Sequence, residues 1–371
     1  MPSPTCSPSR ASLLTGRYAT RMGIPVPVGP GAKNGLPPEE VTIAEMLKPA
    51  GYHTAIVGKW HLGDKLQYHP MAQGFDQFFG TLYSHDYHPP YVQTDTVMRI
   101  WRDHAPAIIR PQDSTLTDLY TQEAMQFINK QSKQQPFFLY LTYNMPHLPL
   151  AVPAAWAGHS AGGLYGDVVE QLDAGIQQVW KTIEAKGMAD NTLFIFSSDN
   201  GPWINFSPRM LGDGRTKPWH VGSTGIFRGY KFLTYEGGHR VPFIYYWKGH
   251  VAKGQTITSP FSSLDILPSL ATWLSIPLPT GRTLDGQEVT ALLSGRGKPA
   301  QHQPIYYVHN TAQAVRDGDW KLRVTVEKDS TLTELYNMID DPGEHYNQAP
   351  AHPDIVERLN KLLAAFPGMK P

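Results

Sequence analysis

The sequence predicts an α/β protein with a mostly parallel central sheet flanked by helices. Three observations support this fold class. Strand-like apolar runs alternate with helical patterns along most of the chain. Polar residues gather directly after those runs, as they do at the ligand-binding edge of open α/β sheets. The composition changes near residue 297, so we predict a large domain over 1–296 and a small C-terminal α+β subdomain over 297–371.

The first predicted elements lie before residue 150. A helix is expected to begin near Thr42 and to end at Pro49 and Gly51. A short strand over residues 54–57 then leads into "GKWHLG", and a buried strand over residues 137–143 leads into "NMPHLPL". Both strands therefore end in histidine-containing loops.

The remaining elements follow in the same alternation. Residues 165–186 predict a helix with one apolar face, which consists of Val169, Leu172, Ile176, Val179 and Ile183. "NTLFIFSSDNG" predicts another buried strand, and "YEGGHRVPFIYYW" predicts a strand after a glycine turn. In the C-terminal part we predict strands over 305–309 and 320–324 and a helix over 353–366.

The overall charge gives no sign of a nucleic-acid or membrane-surface protein. Lys and Arg number 32, as do Asp and Glu, so the formal net charge is zero among 371 residues. No apolar run approaches the roughly 18 residues that a membrane helix needs. The opening "MPSPTCSPSR" lacks the charged-then-apolar pattern of an export signal. Anion binding must therefore depend on positive side chains placed locally.

The chain has one cysteine, Cys6, in the stretch "TCSPSRASLLTGR". Because one thiol cannot form an internal disulfide, Cys6 is a buried apolar thiol, a reactive group or a site of modification. Residues 7–14 have fair helix propensity, and Pro8 suits a first helical turn. Cys6 would then lie at a helix amino end, where backbone N–H groups favour anions, with Arg10 on the same face. This layout suits attack on a tetrahedral oxyanion ester.

"CSPSRASLLTGR" resembles the signature of the sulfatase family, which belongs to the alkaline-phosphatase-like superfamily. The matching residues are Cys6, Pro8, Arg10 and the Leu-Thr-Gly-Arg run that ends at Arg17. The resemblance implies that a formylglycine-generating enzyme reads Pro8 and Arg10 and oxidises Cys6 to Cα-formylglycine. It further implies that the hydrated aldehyde attacks the sulfur of a sulfate ester and displaces the alcohol.

Other segments extend the resemblance over nearly the whole chain. "GKWHLG" implies that Lys59 and His61 contact sulfate and formylglycine, with His61 assisting proton transfer. "NMPHLPL" implies that His147 contacts a sulfate oxygen and protonates the leaving group. "GYKFLTYEGGHRVP" implies a second active-site lysine, Lys231, in front of a glycine turn.

Two more segments are assigned by the same resemblance. "GFDQFFGTLYSHDYHPP" brings Ser84 or His85 to the substrate site. "SSDNG" implies a Ca²⁺ site, with Mg²⁺ as the alternative, held by Asp199 and Asn200. Considered alone, Asp-Asn-Gly is also a favourable turn sequence. "ELYNMIDDPGEHYNQA" resembles a C-terminal family signature with a structural role.

The sequence departs from the family pattern at its beginning. In the family, two further aspartates at the end of a first strand also hold the metal, and that strand has no counterpart before Cys6. We therefore expect an N-terminally truncated sulfatase domain with only two of the six to eight oxygen ligands that calcium prefers. Neighbouring strand edges are expected to be exposed.

Three functions are consistent with these residues. The first is hydrolysis of aryl or carbohydrate sulfate esters; the second is hydrolysis of phosphonate or phosphate esters, whose tetrahedral group fits the same pocket. The third is an inactive remnant that binds sulfated ligands. The aromatic- and histidine-rich "SHDYHPPY" and "GPWINFSPRMLGDGRTKPWH" either line a sugar or aryl subsite or form ordered surface loops. The resemblance implies a periplasmic, secreted or lysosomal-type compartment.

Overall fold

The computed structural model describes residues 1–94, 96–296, 302–328 and 330–369. The chain divides into two compact units. Unit 1 comprises residues 1–27, 193–204 and 223–371, and unit 2 comprises residues 28–192 and 205–222. The predicted domain boundary at 297 lies outside the described residues and stays a prediction.

Helices and strands alternate through the first two thirds of the chain. The helices are α1 Cys6–Thr15, α2 Ile43–Leu47, α3 Leu116–Lys130, α4 Gly163–Ala185, α5 Glu236–His239, α6 Ile266–Leu274, α7 Thr290–Ser294 and α8 Pro353–Ala364. The strands are β1 His53–Lys59, β2 Gln77–Thr81, β3 Arg99–Arg102, β4 Ala105–Ile109, β5 Phe137–Thr142, β6 Phe194–Ser197, β7 Phe243–Tyr246, β8 Ile305–His309, β9 Thr311–Asp317, β10 Trp320–Glu327 and β11 Ser330–Asn337. No helix among the described residues is long and apolar enough to cross a membrane.

Unit 2 contains a five-stranded sheet in the order β4-β3-β2-β1-β5. β1 pairs in parallel with both β2 and β5, so Val57 lies between Phe79 and Leu141. β3 and β4 add an antiparallel hairpin at one edge. The expected parallel strands thus form the centre of a mixed sheet, and the carboxyl ends of β1, β2 and β5 lie at the same edge.

Helices α3 and α4 cover the apolar face of this sheet. Phe127 of α3 and Val179 of α4 belong to one buried cluster with Ala55 of β1. The prediction that Val169 lies on the buried face of α4 is wrong, because its side chain is 42% exposed. The face turned inward instead includes Gly175, where a Cβ atom would lie 2.7 Å from Thr121 Oγ1 of α3. The close contact between α3 and α4 therefore turns the buried face of α4 away from the face that the apolar spacing predicts.

Unit 1 contains α1, the antiparallel pair β6-β7 and a four-stranded antiparallel sheet in the order β11-β10-β9-β8. α8 packs against that sheet, with Leu359 in one buried cluster with Leu322 and Leu335. The predicted C-terminal strands and helix are confirmed. β10 extends to Glu327, beyond its predicted end, and α8 ends at Ala364.

Two strands that the sequence predicts to be buried are only half-buried. β5 and β6 are apolar, but most of their residues retain partial exposure. Among the described residues β5 pairs only with β1 and β6 only with β7. Each strand therefore has an unpaired edge, which leaves its side chains less covered than those of a central strand.

Candidate active site

The predicted site residues form two groups, one in each unit. Unit 1 contains the Cys6 group, which consists of Cys6, Arg10, Asp199, Asn200 and Lys231. Unit 2 contains the Lys59 group, which consists of Lys59, His61, Ser84, His85 and His147.

Cys6 is the first residue of α1, as the sequence predicts. The preceding Thr5 has an extended backbone and makes no side-chain capping hydrogen bond. Cys6 itself is buried, with 2% of its surface exposed. The helix dipole therefore places positive potential at the position of the Cys6 side chain, which favours an oxyanion there.

Arg10, one turn along α1, reaches the loop that follows β6. Its Nε donates a hydrogen bond to Asp199 Oδ2 at 2.9 Å, and the Arg10 side chain is almost fully buried. Asn200, next in the chain, has a buried Oδ1 atom with no hydrogen-bond partner, while its Nδ2 donates to Gly201 O at 2.8 Å. A buried amide oxygen without a partner costs free energy unless a ligand engages it.

Three loops of the Cys6 group are joined by main-chain hydrogen bonds. Lys231 N donates to Pro202 O at 2.9 Å, and Phe232 N donates to Pro4 O at 3.1 Å. The segment with Lys231 therefore contacts both the loop after β6 and the residues before Cys6. The Lys231 side chain is buried, and its Nζ lies 4.9 Å from the centre of the Trp203 ring.

Gly201 brings the loop after β6 against the turn at α5. Its N–H donates to Gly238 O at 3.0 Å, and a Cβ atom at Gly201 would lie 1.9 Å from Gly237 O. Only glycine allows this approach of the two backbones. The sequence stretches "SSDNG" and "YEGGHR" can thus lie against each other because residue 201 has no side chain.

The Lys59 group is built at the carboxyl ends of strands. Lys59 is the last residue of β1 and is buried; its carbonyl oxygen accepts a hydrogen bond from Thr142 Oγ1 of β5 at 2.9 Å. His61 follows with a left-handed backbone, φ 63°, and its N–H donates to Leu82 O at 3.1 Å. Lys59 and His61 are both buried.

His147, Ser84 and His85 form one cluster. His147 Nδ1 lies 2.6 Å from Leu148 O and 3.3 Å from Ser84 Oγ. Because a carbonyl oxygen only accepts, Nδ1 carries a proton, and Nε2 is the nitrogen that can exchange one. The His85 ring lies edge-on to that of His147 at 5.8 Å between centres. His85 Nε2 lies 2.9 Å from Pro149 O, and its buried Nδ1 has no hydrogen-bond partner.

Asp86 is a buried carboxylate in this cluster that the sequence reasoning did not select. Burial acts to raise its pKa, but the charges of the two histidines and of Lys59 outweigh burial and lower the pKa to about 2. Arg209 Nη1 lies 3.4 Å from Asp86 Oδ2 and donates to Tyr91 O at 2.7 Å. Asp86 could have been selected from the sequence as the aspartate of "SHDYHPP", because it directly follows the predicted site residues Ser84 and His85.

Asp199 and Asn200 fit part of the predicted metal site. Asp199 and Asn200 carry the hard oxygens that Ca²⁺ and Mg²⁺ prefer, and the buried Oδ1 of Asn200 fits a ligand atom. Two donors are fewer than the six to eight that calcium takes. Among the described residues, no group of three or more His, Cys, Asp or Glu side chains is arranged to hold a metal.

Comparisons with known proteins agree on one family. The sequence profile of the Sulfatase family matches residues 1–276. Human arylsulfatase G is 36% identical over 348 residues, covering 83% of this chain and 63% of the relative. Mouse N-acetylgalactosamine-6-sulfatase is 35% identical over 368 residues, covering 94% of this chain and 68% of the relative.

The fold agrees with solved structures. One protein, from work on the metabolism of multiple glycosaminoglycans by Bacteroides thetaiotaomicron, superposes with a TM-score of 0.81 at 30% identity; the match covers 98% of this chain and 89% of that one. A phosphonate monoester hydrolase from Silicibacter pomeroyi superposes with a TM-score of 0.65 at 18% identity, over 98% and 86% of the two chains. At that identity the second match concerns the fold alone.

Proposed function

Because this chain belongs to the sulfatase family, we propose that it hydrolyses sulfate esters with Cys6 as the precursor of the nucleophile. One observation carries the proposal most directly. Cys6 begins a helix whose Arg10 is bonded to Asp199, and the Lys231 segment is hydrogen-bonded to the residues just before Cys6. A nucleophile position, a helix amino end and buried cations are thereby gathered in one unit.

The cations have the task of offsetting charge on the sulfate oxygens. Lys59 and Lys231 are both buried, and a positive charge away from water interacts more strongly with an anion than an exposed one does. Arg10 is occupied by Asp199, so its role is to orient that carboxylate and to hold the loop after β6 against α1.

The imidazoles have the task of moving protons. With Nδ1 directed at Leu148 O, His147 presents Nε2 as the group that protonates the leaving alcohol. The nearby carboxylate of Asp86 stabilises a positive charge on His147. His61 is assigned the complementary proton transfer, in which it accepts a proton from the nucleophile position.

Members of the family generally use a formylglycine and a divalent metal. Formed from Cys6 by a formylglycine-generating enzyme, the formylglycine would supply a hydroxyl nucleophile for attack on sulfur. Asp199 and Asn200 would contribute two oxygens to a Ca²⁺ or Mg²⁺ ion, which would offset negative charge on the bound sulfate.

The substrate class proposed is a sulfate monoester of an aryl alcohol or a carbohydrate. The names of the two relatives refer to aryl sulfates and to a sulfated amino sugar. We assign the protein to a periplasmic, secreted or lysosomal-type compartment, a proposal supported by family membership alone.

The test combines modification and turnover. The protein is co-expressed with a formylglycine-generating enzyme, and the peptide that contains Cys6 is analysed by mass spectrometry for conversion of the thiol to the aldehyde. Turnover of an aryl sulfate and of the matching aryl phosphonate is then compared between the converted protein and Cys6→Ala. We expect conversion and a preference for sulfate that Cys6→Ala abolishes.

Three results would count against the proposal. An unmodified thiol in a protein that still turns over sulfate esters would remove Cys6 from the nucleophile role. Preference for the phosphonate would favour the second function considered above. Sulfate binding without turnover by the converted protein would favour the ligand-binding remnant.

A further inference from the structure

The segment that carries Lys231 lies between two polar contacts, of which the first is partly exposed and the second is buried. At its start, Arg228 Nη1 donates to Tyr336 OH at 2.9 Å and to Glu344 O at 3.1 Å. At its end, Glu236 is 3% exposed and begins α5. Residues 228–236 are therefore held at both ends by groups that come from, or bond to, the C-terminal part of unit 1.

Lys321 of β10 is the centre of the second contact. This lysine has no exposed surface, and its Nζ lies 3.0 Å from Glu236 Oε1 and 2.7 Å from Glu344 Oε1. Its Nζ also lies 3.7 Å from the centre of the Tyr307 ring. Tyr307 OH donates to Glu236 Oε1 at 2.7 Å, so one carboxylate oxygen accepts from both groups.

The cluster fixes main-chain atoms as well as side chains. Glu344 Oε2 accepts the backbone N–H of Glu236 at 2.6 Å, while Glu344 Oε1 contacts Lys321. Glu236 Oε2 accepts from Arg240 Nε at 2.8 Å, four residues later. Glu344 therefore links Lys321 to the first peptide of α5.

A gain in folding stability does not by itself explain why such a cluster of buried charges is present. Buried ion pairs are often replaced by apolar residues with no loss of stability, because desolvation of the charges offsets their attraction. What directional bonds provide is a defined position for the groups they join. In this cluster the bonds join the turn at α5, which follows Lys231 in the chain, to the sheet formed by β8 to β11.

The turn at α5 also contacts the loops of the Cys6 group. Gly237 N donates to Arg228 O at 2.8 Å, which closes the segment onto itself. Gly238 O accepts from Gly201 N, and Lys231 N donates to Pro202 O. Because Gly201 lies so close to Gly237 that no Cβ fits, a shift of α5 must displace the loop after β6 and the Lys231 segment together.

We propose that Lys321, acting through Glu236 and Glu344, is a positioning residue that holds Lys231 in its sulfate-binding place. Lys321 contacts no reacting group; it acts by fixing the turn on which the Lys231 segment rests. The inference rests on the proposed function in one respect, which is that Lys231 contacts sulfate.

The experiment is a double-mutant cycle with inorganic sulfate as the probe. The Kd of sulfate is measured by isothermal titration calorimetry for the parent, Lys321→Met, Lys231→Ala and the double variant, well below the unfolding temperature of each protein. We expect Lys321→Met to weaken sulfate binding about tenfold, and kcat/KM for an aryl sulfate to fall by up to about a hundredfold. In the Lys231→Ala background, Lys321→Met should cause no further loss. Lys361→Met, which breaks the exposed pair with Glu357, is the matched control and should change neither quantity.

A second variant covers the case in which Lys321→Met fails to fold. Glu344→Gln keeps an oxygen that can accept the Glu236 N–H but removes the negative charge facing Lys321, so a loss of about threefold in sulfate affinity is expected, again only when Lys231 is present.

The outcomes separate the two proposals. Equal losses in both backgrounds, or unchanged sulfate affinity with a lower melting temperature, overturn the positioning role while leaving the proposed function intact. If Lys231→Ala itself leaves sulfate affinity unchanged, the proposed role of Lys231 is wrong, and the positioning role falls with it.

Discussion

The two groups of candidate residues are built by different means. In the Cys6 group, three loops are joined through main-chain hydrogen bonds and one glycine contact, and the charged side chains project from that frame. In the Lys59 group, the backbone is set by the ends of β1 and β5, and the charged side chains interact electrostatically with the buried carboxylate of Asp86. Substitution of a residue that joins the loops of the first group should therefore act through the backbone, whereas substitution of a charged residue in either group should act through charge.

The largest effect should come from removing either buried lysine. Lys231→Ala and Lys59→Ala should each lower kcat/KM for an aryl sulfate by about 10²–10³, or about 3–4 kcal/mol, because each removes a preorganised positive charge. Steady-state kinetics on the formylglycine-containing protein measures this, with Lys361→Ala on the exposed surface as the control. Full activity in one of the two variants would mean that only one group binds sulfate.

Gly201→Ala tests the glycine contact in the Cys6 group. The new Cβ would lie 1.9 Å from Gly237 O, so the backbone must move, at a cost of about 3 kcal/mol in the free energy of unfolding. Urea denaturation of parent and variant provides the measurement. Gly162→Ala is the matched control, because its nearest new contact would be an ordinary 3.4 Å. Equal stability of the two variants would contradict the close approach.

Asp86→Asn tests the charge balance of the Lys59 group. The pKa of Asp86 is lowered in the folded protein, so its charge stabilises the fold above pH 4, and this stabilisation is lost as the pH falls through about 2. The variant should be about 2 kcal/mol less stable at neutral pH and should differ little from the parent near pH 2. Denaturant unfolding across this pH range measures the difference. A pH-independent difference would indicate a packing effect.

The smallest effect should follow Ser84→Ala. Ser84 Oγ lies 3.3 Å from His147 Nδ1, which already has Leu148 O at 2.6 Å, and the Ser84 side chain also hydrogen-bonds Asp86, so two weak interactions are lost. A loss of about 1 kcal/mol, or about fivefold in kcat/KM, is expected. A loss as large as that of Lys59→Ala would instead assign Ser84 a direct contact with the substrate.

The sequence predicted the elements that carry the site better than it predicted their surroundings. The helix that begins at Cys6 followed from a local signal, Pro8 in a first turn. Strand β1 followed from an apolar run before a glycine, although it covers His53–Lys59 rather than the predicted residues 54–57. Val169 was placed on the wrong face of α4, since the space that Gly175 leaves for Thr121 cannot be read from periodicity. β5 was expected to be buried, but burial depends on how many neighbours a strand has.

By itself the sequence determined the family, the lone cysteine at a helix amino end, and the residue types that can handle a sulfate group. These follow from short motifs, whose spacing is fixed by the chain. Only the tertiary structure decided that Asp86 lies among Lys59, His85 and His147, and that Lys321 reaches Glu236 from 85 residues away. Such contacts arise when separate elements pack, and no local pattern records which buried charges will meet.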